Sequence, residues 1–142
     1  MKFPYFRFPL KERSEFFGTS VLRPVIPIEI GYEGRPIRYN TLVDSGADFC
    51  IFDAEIGELL GIDVRSGKVE TFGGIQSAGS GKAYLHSVVL DIGGWRYKTI
   101  VSFSYDIALH GHGILGQKGF FDIFTVKFDL GKEEIELKEI RK

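Results

Sequence analysis

The sequence predicts an all-β fold, a closed barrel or a sandwich with one or two short helices, on three observations. Apolar residues recur mostly at every second position, the period of a half-buried strand. Gly-containing turns separate these runs at short intervals. One segment alone carries convincing start and stop signals for a helix. Many short strands with little helix bury their apolar faces by packing sheet on sheet or by closing one sheet on itself.

The elements follow in order. Residues 25–30 and 37–43 flank Tyr32-Glu33-Gly34-Arg35 and read as a β-hairpin. Pro24 and Pro27 lack the N–H that a ladder needs, which predicts that the first strand lies at a sheet edge or near its own start. Asp53 is the N-cap of a helix over residues 54–60, Glu55 suits the positive end of its dipole, and Gly61 stops it. Residues 83–92 and 96–103 form a second hairpin through Gly93-Gly94. Residues 125–129 and 134–138 form a third through Leu130-Gly131-Lys132. Residues 1–20 are aromatic and charged without a clear period. They read as irregular, an N-terminal extension or interface arm, and residues 21–142 as the β-barrel domain.

Composition narrows the function classes. A chain of 142 residues with 44% hydrophobic side chains suits one domain with a real core. A net charge of −1 gives nucleic-acid binding no electrostatic support. The single Cys50 cannot form an internal disulfide, which points to a reducing compartment. Its neighbours Phe49 and Ile51 mark it as a buried structural thiol. No apolar run is long enough to span a bilayer, and Pro4 and Arg7 interrupt the start where a signal peptide needs an apolar stretch. The expectation is a soluble cytoplasmic protein with no membrane or nucleic-acid partner. Asn40 is the only Asn, Gln76 and Gln117 the only Gln, and Met1 the only Met, a scarcity also seen in hyperthermophile proteins.

The chemistry centres on Leu42-Val43-Asp44-Ser45-Gly46-Ala47-Asp48, an apolar strand that ends in Asp-Ser-Gly. A carboxylate there can accept backbone N–H groups of the turn, while Ser and Gly let the turn close and a second backbone approach. Alone, such a tripeptide is an ordinary turn. Two further segments change its weight: the Gly-rich Glu70-Thr71-Phe72-Gly73-Gly74-Ile75, and Ile114-Leu115-Gly116 followed by the short amphipathic stretch of residues 117–121.

In that order the three segments resemble the retropepsin-like aspartic proteases, the retroviral proteases and their cellular relatives. The resemblance spans about residues 20–140 and implies a closed or partly orthogonal acid-protease β-barrel. It implies a catalytic triplet in Asp44, Ser45 and Gly46, with the Ser45 hydroxyl reaching a partner chain's backbone. It also implies substrate-backbone contacts from Ala47 and Asp48, and a glycine-hinged flap in Phe72, Gly73, Gly74 and Ile75. Ile114-Leu115-Gly116 would pack behind the catalytic loop, with His112 and Ile114 facing substrate pockets. The helix ending at Leu60-Gly61-Ile62 is closer to prokaryotic and cellular members than to viral ones. Gln117 is a departure: viral enzymes carry there an Arg that pairs with the acid matching Asp48, and Lys118 is the candidate substitute.

Peptide hydrolysis by carboxylates needs two of them about 3 Å apart, sharing one proton because both cannot easily ionise. The ionised member takes a proton from water and the protonated one polarises the scissile carbonyl. One such triplet occurs in this chain, so the second Asp44 must come from a second chain, as an isologous homodimer. The expected activity is a cofactor-free aspartic endopeptidase acting on polypeptides. A non-catalytic domain of the same fold that binds a peptide or protein, and a structural barrel in which Asp-Ser-Gly is a plain turn, are the alternatives.

Three weaker patterns point elsewhere. Gly111-His112-Gly113-Ile114-Leu115-Gly116 matches a dinucleotide fingerprint in letters, but no following helix is long enough to return to a parallel strand. Gly79-Ser80-Gly81-Lys82-Ala83 resembles the end of a phosphate loop, with Gln76 in place of its first Gly and Ala83 in place of its magnesium-holding hydroxyl. His110 and His112 lack the further ligands of a metal site, and lining a cleft is the better reading of both.

Overall fold

The computed structural model describes residues 1–73 and 81–140, residues 108–110 by their backbone alone. Its strands are β1 (Lys2–Pro4), β2 (Phe6–Ser14), β3 (Gly18–Arg23), β4 (Val25–Tyr32), β5 (Arg35–Val43) and β6 (Ile51–Asp53). They continue as β7 (Lys68–Phe72), β8 (Gly81–Ile92), β9 (Trp95–Ser104), β10 (Gly113–Leu115), β11 (Phe124–Asp129) and β12 (Glu134–Glu139). One helix, α1 (Ala54–Leu59), lies between β6 and β7. Two single 3-10 segments, Val64–Ser66 and Tyr105–His110, complete the described elements.

All three expected hairpins form. In β4–β5 the two-residue turn places Glu33 at φ 49° and Gly34 at φ 81°, the primed geometry that matches strand twist. The β8–β9 turn repeats it with Gly93 and Gly94, and the Asp91 carboxylate accepts the Gly94 amide at 3.0 Å. Helix α1 starts as read, with the Asp53 side chain accepting from the Glu55 amide at 2.9 Å. It ends in a left-handed Gly61 at φ 85°, where the Gly61 amide donates to Glu58 and the Ile62 amide to Gly57.

The main sheet runs in the order β4-β5-β10-β6-β9-β8-β7 and closes on itself where Glu29–Gly31 of β4 pair with Asp91–Val89 of β8. Alternation explains its interior. Ile26, Ile28 and Ile30 of β4, Val88, Leu90 and Ile92 of β8, and Val101 and Phe103 of β9 are buried at every second position in one cluster. Phe52 packs edge-on against Phe103 at its centre. Buried hydroxyls are satisfied locally: Thr41 donates to the Ile26 carbonyl and Ser102 to that of Cys50.

The proline expectation holds and one other is corrected. Strand β4 is an edge along its first half only. Pro27 pairs with Asn40 of β5 but precedes the Glu29–Gly31 segment that closes the ring, so its missing N–H interrupts no ladder. Residues 1–20 are not irregular. Strand β1 joins β12 in the sheet β1-β12-β11, and β2 and β3 pair with each other, among the described residues with no third strand. Among the described residues no helix is long and apolar enough to cross a membrane.

Candidate active site

Strand β5 carries Asp44 just beyond its last residue, and β10 fixes it there. β10 lies between β5 and β6, parallel to β5 with Leu115 opposite Val43, and antiparallel to β6 with Ile114 opposite Ile51. The Asp44 amide accordingly donates to the Leu115 carbonyl at 3.0 Å. The chain from Asp44 to Cys50 therefore leaves one neighbour of β10 and returns as the other, looping over its end.

That passage is possible because two residues of the β10 segment have no side chain. A Cβ on Gly113 would lie 2.5 Å from the Tyr39 ring and 2.7 Å from that of Phe52. A Cβ on Gly116 would lie 2.3 Å from the Phe49 carbonyl oxygen and 2.8 Å from that of Ala47, both backbone atoms that cannot move aside. The Ile-Leu-Gly segment thus packs flush behind the Asp-Ser-Gly loop, as the resemblance implied.

Inside the loop, Asp44 Oδ1 accepts the Gly46 amide at 2.9 Å and the Asp44 carbonyl accepts the Ala47 amide at 3.2 Å. From outside, the Gln117 amide donates to Ala47 at 2.8 Å and the Lys118 amide to Asp48 at 2.9 Å. The Gln117 side chain adds a third tie, its Nε2 donating to the Ser45 carbonyl at 3.0 Å. Asp44 and Ala47 are half-buried, while Ser45, Gly46 and Asp48 face solvent. Among the described residues the Ser45 hydroxyl has no hydrogen-bond partner within the chain. The result is a carboxylate on a rigid loop, open on one side, with a free hydroxyl beside it.

Cys50 sits beneath this loop, fully buried, its sulfur accepting the Gly116 amide at 3.4 Å. Burial pushes its thiol up to about 12, so it stays protonated at neutral pH and matches the structural reading. Lys118 does not take the place of the viral Arg. Among the described residues the ion pairs are Lys2–Glu136, Arg7–Glu133 and Lys138–Glu136, and none joins Lys118 to Asp48. What holds the loop from position 117 is an amide hydrogen bond to a backbone carbonyl.

Phe72 and Gly73 close the β7 arm of a hairpin whose other arm begins at Gly81, with Phe72 opposite Gly81. The Phe72 ring lies over Gly81 and meets Phe49 of the Asp44 loop edge-on at 6.5 Å. Gly74 and Ile75 lie outside the described residues. Ile114 is half-buried on β10. His112 is half-buried beside it, its Nδ1 3.2 Å from the Gly113 carbonyl.

A groove of about 390 Å³ opens beside Asp48 and Phe49, walled by Glu70 and Thr71 of β7, Leu85 of β8, Ile100 and Val101 of β9, and Lys118. His112 and Ile114 are not among its walls. Sequence reasoning missed Leu85, Ile100 and Val101 as walls, and named Gln117 only as a departure, without its bond to Ser45. Ile100 carried a faint signal, an apolar side chain on the polar phase of β9 that is 55% exposed. Gln117 carried none, because its role depends on where the Ser45 carbonyl points. Among the described residues no group of three His, Cys, Asp or Glu side chains is placed to hold a metal ion. After Gly116 the chain makes successive turns to Ile123 rather than the long helix a dinucleotide site requires.

No protein-family model matches the sequence, and no curated protein matches it. Solved structures do. The retroviral protease-like domain of Ddi1 from Leishmania major superposes with a TM-score of 0.60 at 20% identity, covering 84% of this chain and 91% of that one. The chain has the retropepsin-like fold. A retropepsin-like aspartic protease from Rickettsia conorii shares that fold with a TM-score of 0.57 at 17% identity, over 80% of each chain. EIAV protease in complex with an inhibitor is a more distant likeness, with a TM-score of 0.46 at 23% identity, covering 67% of this chain and 82% of that one.

Proposed function

We propose that the chain is an aspartic endopeptidase in which two copies each contribute one Asp44. The observation that carries this reading is the state of Asp44. It is half-buried at the end of β5, one oxygen is bound by the Gly46 amide, and its loop is held from behind by Leu115 and Gln117. A turn needs no such support, whereas a carboxylate that must meet a twin at about 3 Å does.

The chemistry follows from the pair. The ionised Asp44 takes a proton from water as the water oxygen bonds to the scissile carbonyl carbon. The protonated Asp44 gives its proton to the carbonyl oxygen. The carboxyl that took the water's proton passes it to the departing nitrogen as the C–N bond breaks, and a hydroxyl of the tetrahedral diol returns its proton to the other carboxylate, so one proton again lies between the pair. Titration belongs to the pair rather than to either residue. The solvent-facing Ser45 hydroxyl is free to bond the partner's backbone across the two-fold axis. Ala47 and Asp48 offer hydrogen bonds to an extended substrate, which adds as a strand. Phe72 and Gly73 belong to the cover that excludes water. His112 and Ile114 contribute to the side-chain pockets.

Incubating the protein with unstructured casein from about pH 3 to 8, with and without a pepstatin-type inhibitor, tests the reading. Cleavage that the inhibitor suppresses is expected. Inhibitor binding without cleavage would reassign the site to peptide binding, and neither would leave Asp-Ser-Gly as a turn.

A further inference from the structure

The β2–β3 hairpin is not explained by the fold that surrounds it. Among the described residues it pairs with no third strand, and a lone two-stranded hairpin is marginally stable in water. Its tip carries two adjacent aromatic rings, Phe16 at 87% and Phe17 at 57% exposure, edge-on to each other and, among the described residues, stacked on no other ring. Phe6 at its base is exposed as well. Large exposed aromatics clustered on one projecting element mark an interaction surface.

Position identifies the occupant. Strand β3 passes into β4 through Pro24 alone, and the Pro24 carbonyl accepts the Val43 amide at 2.9 Å. Val43 is the residue before Asp44. The hairpin is therefore rooted at the end of the sheet that carries the Asp44 loop. Under the two-chain reading of that loop, this end abuts the partner, so the hairpin is continuous with the interface that brings the two carboxylates together. Charge agrees. Arg7, Lys11, Arg13 and Arg23 outnumber Glu12 and Glu15, so the hairpin is net basic, whereas the whole chain carries −1 and the rest of it is therefore net acidic. The body of a second copy thus meets the basic arm with charge of the opposite sign. At about 3.3 Å per residue, the nine residues of β2 reach on the order of 30 Å, enough to lie along a neighbouring domain of this size.

We propose that the β2–β3 hairpin is an arm that grips a second copy of this chain beside the Asp44 face, anchored by Phe16 and Phe17. The proposal rests on the two-chain reading of the site and adds to it the element that holds the chains together.

Sedimentation equilibrium on the full chain compares wild type with the double variant F16S/F17S. Both rings are exposed, so the fold should survive, checked by circular dichroism. The dimer dissociation constant should rise about tenfold or more, as expected for loss of aromatic anchors. Well above both dissociation constants the variant should cleave casein like wild type, because neither ring belongs to the catalytic loop. Placing a photoreactive benzoyl-phenylalanine at position 16 should give a covalent dimer on irradiation. An unchanged dissociation constant, a wild type that stays monomeric, or crosslinks confined to one chain would each overturn the arm. A dimer that loosens in the variant yet cleaves nothing would uphold the arm and overturn the endopeptidase.

Discussion

Asp44 Oδ1 lies 2.9 Å from the Gly46 amide, and that bond commits one carboxylate oxygen to the turn and leaves the other for the proposed twin. Asn at this position keeps an oxygen for the Gly46 amide but cannot share a proton with a twin. The variant Asp44→Asn should retain the fold by circular dichroism while casein cleavage falls below about 1% of wild type, the scale expected for losing an acid–base group. Activity above that level would assign the chemistry to other residues. Cys50 gives a second residue-level expectation, this one on stability. Burial raises its thiol from 9.0 to about 12. Above pH 9 the unfolded chain releases this proton while the folded chain keeps it, so deprotonation favours unfolding. The stabilisation is complete below pH 9 and is lost as pH rises toward 12, with a slope of at most about 1.4 kcal/mol per pH unit. Tyr39, raised by burial from 10.0 to about 12, adds the same trend from pH 10 upward, and Tyr97 is raised in the same direction. Urea denaturation at stepped pH should show wild type losing stability from about pH 9, and Cys50→Ala only from about pH 10. Equal slopes between those values would rule the thiol out.

Among the elements, β10 shows why a three-residue strand can matter more than a long one. It joins β5 to β6 and brings Gly116 against the backbone of the Asp44 loop. Gly116→Ala would place a methyl 2.3 Å from a carbonyl oxygen that has no room to retreat, and should cost several kcal/mol, seen as a lower urea midpoint and lost cleavage together. Gly34→Ala is the control. Its Cβ would meet nothing within 4 Å, so its cost is the strain of φ 81° alone, about 1 kcal/mol, with cleavage unchanged. If the two variants lose equal stability, the flush packing behind the loop is not what requires glycine at position 116. The same comparison shows which elements could be read in the chain. The hairpins through Gly34 and Gly93-Gly94 and the helix from Asp53 to Gly61 are governed by local chemistry, so alternation, turn residues and caps sufficed. Strands β2 and β3 hold no steady period, because none of their residues is fully buried and the register shifts between Pro9 and Ser14. Pro27 marked the open first half of β4 as expected, but that the second half gains β8 as a neighbour depends on ring closure, which no local residue shows. In the candidate site, the place of Asp44, Ser45 and Gly46 in a turn at the end of β5 and the Gly116 packing behind it were legible from residue type and order. The Gln117 bond to Ser45 and the groove under Ile100 were not, being products of how distant strands meet.

At the scale of the whole molecule, a closed sheet of short strands buries one cluster and leaves the Asp44 loop at one of its ends, with a single copy of the needed carboxylate. Everything proposed for function follows from that number. If two chains build one site, activity must depend on association, and a ligand that fills the site must count chains in pairs. Titrating the protein with a tight pepstatin-type inhibitor, well above the dimer dissociation constant, and following casein cleavage to its end point measures this count. The account predicts extinction at half an inhibitor molecule per chain. Extinction at one per chain, or cleavage that no amount of inhibitor reduces, would contradict it.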